Sequence, residues 1–309
     1  MQVVKLEDAS PSLFATPVVT VGFFDGFHLG HQTLLSRLVG WAASKRSDAV
    51  VLTFPRHPKG VIAHTPPLHI MSPEHRLIWF RRLMVDAVVL MQFNDELASM
   101  PAERFIEEIL LERIGATGIL FGWDSRFGAR GRGDADFTEN GPWNIEVRRC
   151  PPVEVDGTRP SSTLIRRLIL QGRLDQAHKL MGHFHTLWGL VVQGHGVGRK
   201  MGIPTVNLST EAETLPPEGV YGGRAVLPDG RWHWALVNIG PRPTFGSRTT
   251  SIEAHLLGFD GELYGQKIEL EIHRFIRKVR PFPDAAALKR QIERDINRFL
   301  SEMRLGRRS

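Results

Sequence analysis

"VTVGFFDGFHLGHQTLL", residues 19–35, decides how the first half of this chain folds. Val19 and Val21, together with Val18, read as a buried strand, and the stretch from His31 to Ser44 carries a helical apolar pattern. A strand needs only a glycine and one capping residue to pass into a helix. Here the join holds Gly22, Phe23, Phe24, Asp25, Gly26 and Phe27, followed by His28 and His31. Gly22 and Gly26 let the backbone approach a phosphate, and the helix that follows offers free N–H groups and the positive end of its dipole. Two histidines three apart project to one side of a first helical turn. Imidazoles placed there can donate hydrogen bonds to the charge that builds up during phosphoryl or nucleotidyl transfer. A metal pair is the competing reading, but no third ligand stands at a suitable spacing. An HxxH pair alone would be incidental; with both glycines and the strand before it, the pattern points to a nucleotide site.

The alternation continues outward from this turn. "DAVVLTF" (48–54), "VDAVVLMQF" (85–93) and "ATGILFG" (116–122) read as further buried strands. Between them lie helical patterns at "SPEHRLIWFRRLM" (72–84) and "PAERFIEEILLERIG" (101–115), the second with Pro101 at its start and Gly115 just past its end. Strand and helix in alternation imply an α/β domain: a parallel sheet with helices on its faces, which binds ligands at the carboxyl ends of its strands. Near His185 the character changes. "GVYGGRAVLPDGRWHWALVNIG" (219–240) and "TSIEAHLLGFDGELYGQKIELEIHRFIR" (250–277) alternate with period two, and Pro228-Asp229-Gly230 and Asp260-Gly261 read as hairpin turns. An amphipathic helix closes the chain over 284–303. The expectation is two domains: 1–184 with the parallel sheet, and 185–309 with a small antiparallel sheet or barrel and a terminal helix.

Composition fits this picture. At 309 residues, 42% hydrophobic and 23% charged, the chain can bury two cores. No apolar run reaches the length of a membrane span. The start, "MQVVKLEDASPSLF", lacks the basic-then-apolar order of a signal peptide, so a cytoplasmic location is expected. Cys150 is the sole cysteine, which excludes an intrachain disulfide and a cysteine-based zinc site. A net charge of +6 favours polyanionic partners.

Several other loops carry polar groups that packing does not require. His57 follows the second strand in "LTFPRHP", facing the same sheet edge. "FGWDSRFGARGRGD" (121–134) holds Asp124, Arg126, Arg130 and Arg132 among four glycines. "TRPSSTLIRRLI" (158–169) sets Ser161, Ser162 and Thr163 at a helix start, with Arg159 before and Arg166 after. One serine would serve as a cap; three hydroxyls flanked by arginines suit a triphosphate. In the second half, "GHGVGRKMGIPTVN" (194–207) is a Gly-rich basic loop, ending where Thr205 and Asn207 face one side of an extended chain. Such a hydroxyl and amide can hold Mg²⁺ and phosphate oxygens, or simply end a polar strand. Glu253 and His255 share a strand face, with Ile252, Ala254 and Leu256 on the other.

Read together, "GFFDGFHLGHQ", "TFPRHP", "FGWDSRFG" and "SSTLIR" resemble the adenylyltransferase module of the prokaryotic bifunctional riboflavin kinase/FAD synthetases. "GRKMGIPTVNL", "GVYGGRAVL", "NIGPRPTFG" and "IEAHLLGFDGELYG" resemble the riboflavin kinase module of the same family. The resemblance implies a Rossmann-like nucleotidylyltransferase domain, then a β-barrel kinase domain. It implies that riboflavin is phosphorylated to FMN and FMN adenylylated to FAD, with ATP, riboflavin, FMN and FAD as small-molecule partners, Mg²⁺ accompanying ATP, and neither membrane nor nucleic acid involved. In the first module it assigns catalysis to His28 and His31, and ATP or FMN binding to Gly22, Phe24, Asp25, Gly26, His57, Asp124, Arg159, Ser162, Thr163 and Arg166. In the second it makes Glu253 the catalytic base. There it assigns ATP or flavin binding to Gly196, Arg199, Lys200, Gly202, Pro204, Thr205, Asn207, Asn238 and Arg242, with Thr205 and Asn207 also holding the metal. Phe23 and Phe27 stand where relatives commonly have Asn and Val, and Ser125 where they commonly have an aromatic ring, with Trp123 two residues before it. Two alternatives follow: a riboflavin kinase whose adenylyltransferase is weakened by Ser125, and a basic nucleotide- or RNA-binding protein that shows aromatics and arginines on one barrel face.

Overall fold

The computed structural model describes residues 1–57, 67–194, 198, 202–212, 214–241 and 250–305. The chain divides into two compact units, Met1–His69 with Pro73–Ser162, and Ile70–Ser72 with Thr163–Ser309.

The first unit is built on six parallel strands: β1 (Gln2–Lys5), β2 (Val18–Val21), β3 (Ala49–Thr53), β4 (Ala87–Leu90), β5 (Gly118–Phe121) and β6 (Glu146–Arg149). Their order is β1-β4-β3-β2-β5-β6. The inner strands are apolar apart from Thr20 and Thr53, because both faces are covered. Helix α1 (Leu29–Lys45) turns Leu34, Leu35, Leu38 and Trp41 inward, and α2 spans Pro73–Arg82. The segment expected as one α-helix over 101–115 is α-helical only at Ala102–Arg104. It then winds as a π-helix over Phe105–Arg113, keeping Phe105, Ile106, Ile109 and Leu110 buried. Strands β1 and β6 escape the sequence reading. Each pairs on one side only, so neither needs a two-sided apolar pattern, and the charges of "EVRR" suit a sheet edge. Parallel strands end together. The loops after β2, β3 and β5 therefore open at the same edge, as the alternation implied.

The second unit contains α3 (Ser162–Leu170, whose first residue closes the first unit) and α4 (Leu174–Met181), then a closed antiparallel barrel. Its strands are β7 (His185–Val192), β8 (Val206–Thr210), β9 (Gly219–Val226), β10 (Trp232–Pro241), β11 (Thr250–Leu256) and β12 (Lys267–Arg277), in the order β10-β11-β8-β7-β12-β9. Pro228-Asp229-Gly230 is the expected hairpin between β9 and β10. Asp260-Gly261 is not a hairpin turn. β11 pairs with β10 and β8 while β12 pairs with β7 and β9, so the segment crosses between non-neighbouring strands. Helix α5 (Ala285–Leu305) packs Ile292, Ile296, Phe299 and Leu300 against Val220, Leu236, Trp234 and Ile276 of the barrel.

Candidate active sites

In the first unit, Gly22 leaves β2 with its N–H bonded to the Leu52 carbonyl at 3.0 Å. The chain then passes through positive φ at Phe24 (+56°), Gly26 (+76°) and Phe27 (+38°). Only Gly26 adopts this without steric cost. The other two are held there by burial of their rings, Phe24 packing edge-on against His31 at 5.2 Å and against Phe80 at 5.4 Å. His28 caps α1: its Nδ1 accepts the His31 backbone N–H at 3.3 Å, which leaves the proton of the neutral ring on Nε2. The two imidazoles stack with centroids 3.6 Å apart. Burial, and secondarily the neighbouring His28, hold His31 well below the ordinary histidine pKa, so it is neutral near pH 7. Asp25 is buried, and its carbonyl accepts the Ser162 hydroxyl at 2.8 Å, which joins the turn to the start of α3.

The other loops of this edge are arranged as follows. His57 lies after β3, with its ring 4.4 Å from that of Phe23. Asp124 is exposed on the loop after β5. Ser125 turns its hydroxyl back to accept the Gly122 N–H at 3.0 Å, while Trp123 is 55% exposed with the Arg159 guanidinium 4.9 Å from its ring centroid. Trp123 therefore carries an exposed aromatic face where Ser125 has none. Arg159 also pairs with Glu154 at 2.8 Å, and Arg126 pairs with Asp134. Thr163, exposed, and Arg166, buried, follow on α3 in the second unit.

Sequence reasoning missed Arg76. In an amphipathic pattern it reads as one more solvated charge, yet it is only 2% exposed. It donates to the carbonyls of Phe23, Phe54 and Pro55 at 2.8, 2.9 and 2.8 Å. Burial pulls its pKa down to about 10, with Asp25 acting in the opposite sense.

In the second unit the strand register does the assembling. Glu253 of β11 is paired directly with Asn238 of β10 on one side and Asn207 of β8 on the other. Side chains opposite one another in neighbouring strands share a face, so the carboxylate is flanked by two amides. Thr205 sits at the entry to β8, between two cavities that it lines together. One, of about 380 Å³, includes Gly194, Asn207 and Tyr264 and is the more polar. The other, of about 640 Å³, has Val220, Leu236, Phe282 and Leu288 on its apolar wall and Asn238 and Glu253 among its polar groups. The His255 Nδ1–H donates to the Pro204 carbonyl at 2.8 Å, fixing the segment before Thr205, with Gly202 at φ +72°. Gly196, Arg199, Lys200 and Arg242 lie outside the described residues.

A Cβ on Gly194 would sit 2.0 Å from the Asn207 amide nitrogen. Gly194→Ala must displace that amide. The expected result is about tenfold weaker binding of a Mg²⁺-nucleotide in the cavity that Asn207 lines, the scale of one lost hydrogen bond; calorimetric titration of the variant beside the original protein checks it.

Residues 11–164 match the family described as FAD synthetase, and residues 181–302 match that described as riboflavin kinase. The bifunctional riboflavin kinase/FMN adenylyltransferase of Pseudomonas fluorescens is 34% identical over 291 residues, covering 90% of each chain. The protein of the same description from Escherichia coli strain K12 is 30% identical over 287 residues, again covering 90% of each. A solved structure from Streptococcus pneumoniae, described as a macrolide-efflux protein, matches with a TM-score of 0.83 at 30% identity, covering 96% of this chain and 98% of that one. Among the described residues of this chain, no helix is long and apolar enough to cross a membrane. With both halves matched in order and relatives aligned along nine-tenths of its length, the chain belongs to the bifunctional riboflavin kinase/FMN adenylyltransferase family.

Proposed function

We infer that the chain carries out two consecutive ATP-dependent steps on one flavin: riboflavin is phosphorylated to FMN, and FMN is adenylylated to FAD with release of pyrophosphate. The kinase module occupies 185–309 and the adenylyltransferase module 1–184. The observation that carries this reading is the Asn238–Glu253–Asn207 row, set where a polar and an apolar cavity meet at Thr205.

In the barrel, the apolar cavity suits the isoalloxazine ring and the polar one the nucleotide. The Glu253 carboxylate accepts the proton of the ribityl 5′-hydroxyl. That oxygen attacks the γ-phosphorus of ATP, the bond to the β-phosphate oxygen breaks, and ADP leaves. Among the described residues no three His, Cys, Asp or Glu side chains gather as a metal cage. The Thr205 hydroxyl and Asn207 amide oxygen are hard donors that fit Mg²⁺ arriving on ATP, which neutralises charge on the phosphates. Gly202, Pro204 and the basic loop residues Arg199 and Lys200, with Gly196 and Arg242, complete the set by family resemblance.

In the parallel-sheet unit an FMN phosphate oxygen attacks the α-phosphorus of a second ATP, and pyrophosphate is the leaving group. A phosphate monoester is largely dianionic near neutral pH, so this step needs no general base. His28 and neutral His31 donate N–H groups to the charge that develops. His57, Asp124 and Arg159 stand on loops, and Ser162 opens α3 with its hydroxyl on the Asp25 carbonyl. Thr163 and Arg166 are assigned to this step by resemblance.

The nucleic-acid reading requires both tryptophans of "RWHWAL" on one exposed face. Trp234 packs under α5, 5.4 Å from the Phe299 ring, and only Trp232, at 42%, is exposed. With ATP as cosubstrate we place the protein in the cytoplasm.

The test is a time course of purified protein with riboflavin, ATP and Mg²⁺, resolved for both products. FMN appearing first and FAD following is the expected result. FMN alone, even when FMN is the substrate supplied, would leave only the kinase half of the reading standing.

A further inference from the structure

We propose that Arg76, which belongs to none of the recognised motifs, is a positioning residue for adenylyl transfer: its buried guanidinium sets the turn that leads into His28 and His31 against the loop carrying His57. The proposal rests on the adenylyltransferase reading above.

Arg76 projects from the first turn of α2 and is 2% exposed. Its Nη1 donates to the Phe23 carbonyl at 2.8 Å, in the turn after β2. Its Nη2 donates to the Phe54 and Pro55 carbonyls at 2.9 and 2.8 Å, in the loop after β3. One planar fork thus spans two loops that join no common strand. The same guanidinium lies 4.2 Å from the centroid of the Phe23 ring, and that ring lies 4.4 Å from the His57 ring. Guanidinium, phenyl and imidazole thus touch in series, the two rings tilted at 55° to each other. Moving the first shifts the last relative to the His28–His31 pair.

A buried arginine that only filled space would be replaceable by an apolar side chain of similar volume at little cost. An apolar chain cannot bind carbonyls of two loops in one plane, and an ammonium, as a compact point charge, cannot reproduce the fork. The arrangement therefore acts on geometry. Small misplacements of reacting groups cost up to about 10²-fold in rate.

The experiment uses the full chain. Arg76→Lys is expected to lower kcat for FMN adenylylation about 10- to 100-fold, with KM for ATP and FMN within about threefold and riboflavin phosphorylation unchanged in the same sample. Arg76→Met, which keeps the packing without donors, should do the same even if the lysine variant loses stability. Because Arg76 acts through the His57 loop, Arg76→Lys combined with His57→Ala should be no slower than the slower single variant. Full kcat in both Arg76 variants would overturn the proposal. So would effects that multiply in the double variant, or full kcat in His57→Ala. Adenylyl transfer that survives His31→Ala would instead overturn the reading of the turn itself.

Discussion

Glu253→Ala is expected to cut FMN formation severely, while FMN supplied directly is still converted to FAD at the original rate. A general base contributes about 10²- to 10⁴-fold, so riboflavin phosphorylation should fall by that range. Glu253 is well placed for a clean test. Its neighbours Ile252, Ala254 and Leu256 fill the barrel core, whereas its own side chain faces the cavity shared with Asn238. Removing it leaves the packing of β11 in place. Glu253→Gln sharpens the point: the amide keeps the shape and polarity of the side chain between Asn238 and Asn207, but it cannot take up a proton. It should be as inactive as the alanine variant. Product chromatography with riboflavin, and separately with FMN, measures both half-reactions in one preparation. Riboflavin phosphorylation at the original rate in the glutamine variant would exclude Glu253 as the base.

His31→Ala should give the opposite pattern. FMN is expected to accumulate, with adenylylation reduced about 10²- to 10³-fold, as when a preorganised donor to a transition-state oxyanion is deleted. The kinase reaction should continue. Loss of both activities in a folded variant would count against separate sites. The same substitution has a consequence for acid stability. Burial, with His28 beside it, depresses the His31 pKa in the folded protein. As pH falls below the ordinary value near 6.5, the unfolded chain therefore takes up a proton that the folded chain does not. Stability falls with acidification across that window, down to the depressed folded value. Between about pH 7.5 and pH 5.5 the original protein should lose more stability than His31→Ala, measured as the shift in Tm. An equal loss in both would mean that His31 does not titrate abnormally.

The turn at residues 22–31 was legible because its motif is local. The strand before it, the glycines, the histidine spacing and the helix after it lie within one stretch of chain; the structure adds the stacking, the cap and the ties from Arg76 and Ser162. The Gly194–Asn207 contact was not legible, since a glycine thirteen residues before an asparagine carries no sign that the amide will rest upon it. Asp260-Gly261 misled for a related reason. Turn chemistry reports that the chain reverses, and it does not report which strands then pair; barrel closure sent β11 and β12 to different neighbours. Trp232 and Trp234 share a face by period two, yet α5 covers only the second.

By itself the sequence determined the parallel sheet of the first unit, the period-two strands of the second, and the sheet edge at which the turn after β2 opens. Each of these follows from periodicity and spacing within a segment, which local sterics and burial translate directly into structure. Only the tertiary structure decided that Asn238, Glu253 and Asn207 form one row, that β1 and β6 complete the sheet, and that Arg76 is a buried tie between loops. Those depend on strand register, and on the burial of a charge among carbonyls from distant segments. Neither exists until segments far apart in the chain have met.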